Sequence, residues 1–262
     1  MKLAVLGDPI DHSLSPIIHR VALDAAGIDG TYEAIRADAD RLRVAVDQIR
    51  HGTLTGINVT MPLKEAAFRA VDRVTEVALR TGAVNTVWAG EGAVFGDNTD
   101  VAGITGAWRR GGLPDSGPVL VLGAGGAASA ALVANAGRPI HLAARRPEQA
   151  TSLLARTRVQ GRVVEWGTPV AGAVVVNATP VGMGGEGRLP ERVLEAASGL
   201  LDMVYHTEPT AAVRHAAACG LPTVDGITLL VHQAVDAFER WAGVRPPVEA
   251  MERAARAAIA SK

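Results

Sequence analysis

Cysteine is almost absent from this chain: Cys219 stands alone in 262 residues, which excludes an intrachain disulfide and any cysteine-based metal cluster. With Ala216, Ala217 and Ala218 beside it, Cys219 is expected to be a small buried position on a helix. Aromatic residues are scarce at 3 %, whereas apolar residues make up 48 %, so Ala and Val carry much of the apolar content. No apolar run approaches a membrane span. The stretch Met1 to Asp8 loses its apolar character too soon for a secretion signal, so a cytoplasmic location and no membrane partner are expected. A charge excess of either sign is also missing. Net charge is −1, from 26 basic and 27 acidic residues, which argues against broad binding to nucleic acid and leaves room for a local basic pocket. No His/Cys/Asp cluster has metal-ligand spacing, so no metal is expected.

What is present is alternation. At this length the chain has room for two modest domains, each with its own core. Periodicity predicts strands at 2–6, 31–36 and 56–60, and helices at 17–26, stopped by Gly27, and 40–50, closed by Gly52. Helices at 64–71 and 75–79 follow, then a hairpin of 83–88 with 93–96 through Gly90-Glu91-Gly92, and a helix from Asp100 to Gly111. The stretch Gly111 to Pro118 is the richest in turn residues and marks an internal boundary. A second series begins beyond it. Strands are expected at 119–122, 140–143, 163–164, 173–177, 200–205 and 223–224, with helices to about Ala136, at 147–157, between the last two strands, and at 229–241 and 248–260. Both halves read as α/β layers with mostly parallel sheets.

Lys64 is the most pointed single residue. Pro62 suits a first helical position, which puts Lys64 in the first turn, against the positive end of the helix dipole. A cation in that place implies a use for its charge. Ahead of it Asn58 and Thr60 alternate with Ile57 and Val59, as on a strand end that aims two polar groups to one side. Gly96-Asp97-Asn98-Thr99-Asp100 is a turn-prone cluster able to bring a carboxylate to the lysine. A surface lysine and an Asx-rich turn are the plainer reading of the same residues.

Gly123-Ala124-Gly125-Gly126-Ala127-Ala128 follows an apolar strand and opens a helix, the context in which a GxGxxG/A pattern binds a dinucleotide. Gly123 permits the tight turn, Gly125 a close approach to pyrophosphate, and Ala128 close helix packing. A glycine turn in a plain α/β domain is the alternative. After the next strand, where an NAD site offers an acid to the ribose, the chain has Ala144-Arg145-Arg146. Guanidinium groups bind a 2′-phosphate that a carboxylate would repel, so NADP is favoured over NAD. Arg146 is the better candidate of the two for an ordinary strand-end charge.

Taken together, Ser13-Leu14-Ser15-Pro16, Asn58 to Lys64, Gly82 to Thr86, Asn98-Thr99-Asp100, the Gly123 loop, Asn177 to Met183, Asp202 to Tyr205 and Asp225 to Gln233 resemble the shikimate dehydrogenase family over nearly the whole chain. The resemblance implies an N-terminal α/β substrate-binding and catalytic domain, residues 1–103 and 233–262, facing a C-terminal Rossmann-type NADP-binding domain, residues 104–232, with the last helices packing back on the first domain. It implies a catalytic pair, Lys64 and Asp100. Ser13 and Ser15 would bind the substrate carboxylate, although for these two alone capping of the following helix is an alternative. Asn58, Thr60, Asn85, Asp100 and Gln233 would surround the ring hydroxyls, with Tyr205 nearby. The NADP(H) side would take Gly123, Ala124, Gly125, Gly126, Ala127, Ala144, Arg145, Arg146, Thr179, Met203 and Gly226, with Glu76 close to the cofactor.

The reaction so implied is reversible NADPH-dependent reduction of 3-dehydroshikimate to shikimate, in aromatic amino-acid biosynthesis, by a monomer or homodimer. The chain departs from the family at several places. Arg20 and His206 stand where Asn and Pro are usual, and Ala144-Arg145-Arg146 replaces an Asn-Arg-Thr run, which removes neutral phosphate donors and adds a charge. A quinate/shikimate or aminoshikimate-type dehydrogenase with different cofactor use, or a non-catalytic ligand-sensing relative, fits the same motifs.

Overall fold

The computed structural model describes residues 1–185 and 187–261; Lys262, the last residue of the expected substrate domain, lies outside the described residues. The chain divides into two compact units, Met1–Gly103 with Leu230–Ser261, and Ile104–Leu229. The division falls inside a helix, not in the Gly/Pro stretch 111–118. That stretch belongs wholly to the second unit because its groups are bonded there: Arg138 donates to the Ser116 and Gly117 carbonyls, and Trp108 Nε1 donates to Pro114 O.

The first unit runs β1 (Lys2–Gly7), α1 (Ser15–Ala26), β2 (Thr31–Arg36), α2 (Ala39–Arg50), β3 (Gly56–Val59), α3 (Lys64–Ala70), β4 (Arg73–Val74), α4 (Glu76–Thr81), β5 (Thr86–Gly90), β6 (Ala93–Asp97) and the start of α5 (Asp100–Arg110). Its six strands lie in the order β2-β1-β3-β5-β6-β4. β1 pairs in parallel with β2 and β3, while the β5–β6 hairpin makes β5 antiparallel to both neighbours. In α2, Leu42, Ala45, Val46 and Ile49 recur at helical spacing and pack on Ile57, Val59 and Val87 across one sheet face. Each of the larger side chains contributes about 1.5–3 kcal/mol on full burial.

The second unit continues with β7 (Val119–Leu122), α6 (Gly126–Ala134), β8 (Ile140–Ala143), α7 (Pro147–Thr157), β9 (Gly161–Val164), β10 (Val174–Asn177), α8 (Glu191–Glu195), β11 (Gly199–Asp202), α9 (Ala211–Ala218) and β12 (Thr223–Val224). All of its pairings are parallel, in the order β12-β11-β10-β7-β8-β9. Read from the other edge this is the doubly wound dinucleotide-binding order, with its switch point between β7 and β10. β7, β10 and β11 are buried along their whole length, as strands covered on both faces must be.

α10 (Gly226–Ala242) begins in the second unit and returns to the first, which α11 (Val248–Ala260) completes by packing on α1. Trp241 Nε1 donates to Val87 O at 3.1 Å, and Arg240 pairs with the buried Asp97. The fold is therefore the expected α/β arrangement, with the last helices against the first sheet. No helix among the described residues is long and apolar enough to cross a membrane.

Local expectations fail where a side chain or a turn overrides the pattern. Cys219 is exposed, not buried: it is the C-cap of α9 and follows Ala217 and Ala218, which are exposed as well. Pro62 is not a first helical residue: the turn before α3 closes with Leu63 N donating to Thr60 O, and the helix starts at Lys64. β11 ends at Asp202, before Tyr205, because the Asp202 carboxylate accepts from Val204 N and turns the chain. β4 and α8 are too short to leave a periodic signal.

Candidate active site

Sheet register sets out the first cluster. Asn58 lies opposite Thr86 and Thr86 opposite Asp97, so β3, β5 and β6 end in one row of polar residues. Asn98 shapes the following turn: its amide donates to Thr81 Oγ1 and Ala83 O, and its Oδ1 accepts from Asp100 N. Asp100 thus begins α5 buried and oriented. Lys64, first residue of α3, is held at the same end by its carbonyl, which accepts from Val84 N.

Lys64 Nζ donates to Asp100 Oδ2 at 2.5 Å, and Asn85 Nδ2 donates to Asp100 Oδ1 at 2.8 Å. The carboxylate is gripped from both sides. The two charged side chains are 22 % and 6 % exposed, so their attraction is screened far less than at a surface. This pairing offsets the adverse dipole at Lys64. An ammonium carries three hydrogens; those not committed to Asp100 remain for a substrate oxygen. Asn85 Oδ1 accepts from Thr99 N at 2.8 Å and from the Thr99 and Thr86 hydroxyls. Asn58 donates to Asn85 O and Thr86 Oγ1, both at 3.1 Å.

In the second unit the site is made of backbone. Gly123 adopts φ 119°, and a Cβ there would stand 2.6 Å from Ala178 O, so only glycine makes this turn. A Cβ on Gly125 or Gly126 would meet nothing within 4 Å. No side chain caps α6 and its first turn holds no acid. Its first amides are therefore suited to an anion, and the space at Gly125 fits a phosphate drawn close to the main chain. Ala144 is buried, while Arg145 and Arg146 are exposed just beyond β8, whose end is in register with that of β7. Asn177 Nδ2 donates to Asp202 Oδ1 at 2.8 Å, and its Oδ1 accepts from Thr179. Asp202 also takes a hydrogen bond from Thr210. Burial, then Asp225, pushes the Asp202 carboxyl up, against its three donors. Met203 N donates to Asn177 O, and a Cβ on Gly226 would strike Val204 C and O at 2.4 Å.

The same chain matches the shikimate dehydrogenase substrate binding domain family over residues 5–87 and the shikimate 5′-dehydrogenase C-terminal domain family over residues 226–256. It is 39 % identical to a shikimate dehydrogenase (NADP(+)) from Thermus thermophilus, with 99 % of each chain covered. The chain belongs to the shikimate dehydrogenase family. A shikimate 5-dehydrogenase from Thermus thermophilus, solved in complex with NADP(H) and shikimate, superposes with TM-score 0.92 at 39 % identity, covering 98 % of this chain and 99 % of that one. The Mycobacterium tuberculosis shikimate dehydrogenase gives TM-score 0.86 at 34 % identity, covering 98 % and 99 %.

Of the positions assigned by likeness to shikimate dehydrogenases, Lys64, Asp100, Asn85 and Asn58 form one bonded cluster. Thr60 follows Asn58 just past β3, and its methyl lies where a Cβ on Gly7 would go. Gln233 backs onto Gly103 of α5, one turn from Asp100. Ser13 and Ser15 do not cap α1, whose N-cap is Leu14 without a side-chain bond; instead Ser13 Oγ accepts from Ser15 N. Glu76 is exposed in the first turn of α4, behind the Thr75 cap, a place where an acid is favoured in any helix. Tyr205 is half-buried beside the Gly226 contact. Tyr32, Thr86 and Thr210 join these networks; Thr86 lies inside the Gly82 to Thr86 motif with no role assigned to it, and no sequence motif points to Tyr32 or Thr210. Tyr32 carried one usable signal: it is one of two tyrosines and sits on a strand.

Proposed function

We propose that the chain reversibly reduces 3-dehydroshikimate to shikimate with NADPH, with Lys64 and Asp100 as the catalytic pair. The observation that carries this reading is the Lys64–Asp100–Asn85 constellation, in which a lysine is held by a carboxylate that is itself held by an amide. NADPH, when bound, supplies the hydride. Lys64 stabilises the oxyanion that forms at the ring ketone and then gives it a proton; such a group contributes about two to four orders of magnitude in rate. Asp100 keeps the ammonium in line and accepts from a neighbouring ring hydroxyl. Thr60, Gln233 and Asn85 border the ring, Ser13 and Ser15 offer neutral hydroxyls to the carboxylate, and Tyr205 lies near the substrate. A site built for several hydroxyls discriminates against deoxy analogues, because its buried groups are then left unpaired.

On the cofactor side, Gly123 to Ala127 receive the pyrophosphate, Ala144, Arg145 and Arg146 the 2′-phosphate, and Thr179, Met203, Gly226 and Glu76 border the remainder. The domain roles follow: 1–103 with 233–262 bind substrate, 104–232 bind NADP. The enzyme works in the cytoplasm. Initial rates with shikimate and quinate, each with NADP+ and NAD+, test the reading. Shikimate with NADP+ is expected to be fastest; preference for NAD+ would remove the role given to Arg145, and turnover of neither acid would overturn the reaction.

A further inference from the structure

Tyr32 carries no role in the function proposed above, yet its hydroxyl feeds the hydrogen-bond chain that ends at Asp100, the partner of Lys64. Its ring is buried and stacks on His19, centroids 4.2 Å apart and planes 5° from parallel. The Tyr32 hydroxyl lies 2.7 Å from Asn58 Oδ1.

The directions of these bonds are fixed by chemistry. A backbone carbonyl only accepts, so the Asn58 atom facing Asn85 O is the amide nitrogen. The atom facing Tyr32 is then the oxygen, and Tyr32 must donate. Thr86 Oγ1 receives the other Asn58 hydrogen and turns its own toward Asn85 Oδ1. Asn85 Oδ1 faces the Thr99 amide, a pure donor, which leaves Asn85 Nδ2 to hold Asp100. Every donor from Tyr32 onward points toward Asp100.

We infer that Tyr32 is a positioning residue for the Lys64–Asp100 pair, its hydroxyl locking the Asn58 carboxamide in the orientation that passes donors on to Asn85 and Asp100. The inference deepens the proposed function and rests on it. Burial raises the Tyr32 pKa well above the ordinary tyrosine value, with a Ser15 side-chain bond working against it, so the hydroxyl keeps its proton and remains a donor. Removing the hydroxyl takes from the half-buried Asn58 Oδ1 the donor that fixes its carboxamide, and the amide is then free to turn toward another partner.

The test is steady-state oxidation of shikimate with NADP+ by the parent chain, Tyr32→Phe, Asn58→Ala and the double variant, with Asn58→Asp alongside. Phe keeps the ring on His19 and deletes only the donor. Tyr32→Phe should lower kcat about 3- to 10-fold, the range of one hydrogen bond, with KM for NADP+ unchanged. In the Asn58→Ala background the same substitution should have no further effect on kcat. Asn58→Asp, which keeps the acceptor and loses both amide donors, should lose at least as much. Parental kcat in Tyr32→Phe or Asn58→Asp, or an equal loss from Tyr32→Phe in both backgrounds, would overturn the inference alone. A parent chain with no turnover would overturn the proposed reaction and the inference together.

Discussion

The two units hold their candidate sites by opposite means. In the first, a mixed sheet ends in a row of amides, hydroxyls and two carboxylates, Asp97 and Asp100, most of which bond to one another, and the backbone serves mainly to bring strand ends into register. In the second, an all-parallel sheet presents main chain: a left-handed glycine, an uncapped helix start, and a close approach at Gly226. A site made of side chains is open to conservative substitution one atom at a time. A site made of backbone answers to a single added Cβ. That difference predicts which experiments separate chemistry from binding.

The largest effect expected is at the side-chain site. Lys64→Ala should cut kcat for shikimate oxidation by about two to four orders of magnitude while NADP+ affinity, measured by fluorescence titration, stays at the parent level. Unchanged turnover would remove Lys64 from the chemistry. Next comes the cation in the other unit: Arg145→Ala should raise KM for NADP+ about tenfold or more, the worth of a charge-assisted hydrogen bond, and leave KM for NAD+ nearly unchanged. If both coenzymes weaken equally, Arg145 does not read the 2′-phosphate. Gly125→Ala sharpens the contrast further. Its Cβ meets nothing within 4 Å and its φ of −94° suits alanine, so thermal stability should hold within about 0.5 kcal/mol. NADP+ affinity should nevertheless fall several-fold if, as proposed, the pyrophosphate lies against Gly125, because the methyl would take that space. A parallel loss of stability and affinity would show that Gly125 is needed for the fold instead.

The same contrast explains what the sequence made legible. Backbone devices leave strong local marks: Gly123 and Gly125 between an apolar strand and an alanine-rich helix, and Gly27 as a left-handed stop, could be placed from letters alone. Lys64 was visible as a charge at odds with its helix, and Asp100 as a carboxylate in a turn. Their pairing depends on contacts 36 residues apart in sequence, which no periodicity encodes; the residues alone left it open beside a surface lysine and an Asx-rich turn, and the family resemblance assigned it. Tyr32 stayed hidden because it is an ordinary β residue whose role is set by a contact across the sheet, and Thr86, though inside a quoted motif, showed no role of its own for the same reason. The exposed Cys219 misled because alanine neighbours describe the helix before it, not the cap position it occupies.

The finest separation is by pH, since buried titratable groups oppose one another in sign. Burial lowers His19 from 6.5 to about 3, with Asn58 acting to raise it. Unfolded His19 therefore binds a proton more readily than folded His19, so its contribution to stability is intact above about pH 6.5 and is lost as pH falls toward 3. Asp202 is raised by burial, so the folded form keeps its proton longer than the unfolded one. Stability gained from that difference appears as pH falls through the raised value and is lost as pH rises through it. Asp236, also raised by burial, acts in the same direction as Asp202. Melting temperatures between about pH 7 and about pH 4.5 should then fall less steeply in His19→Phe than in the parent, and more steeply in Asp202→Asn. Asn at 202 can still accept from Asn177 and Val204 and donate to the Thr210 hydroxyl, so the change isolates the titration from the loss of a partner. Parallel curves for the parent and His19→Phe would mean that His19 titrates alike in both states, and that the ring stacked on Tyr32 is reached by water.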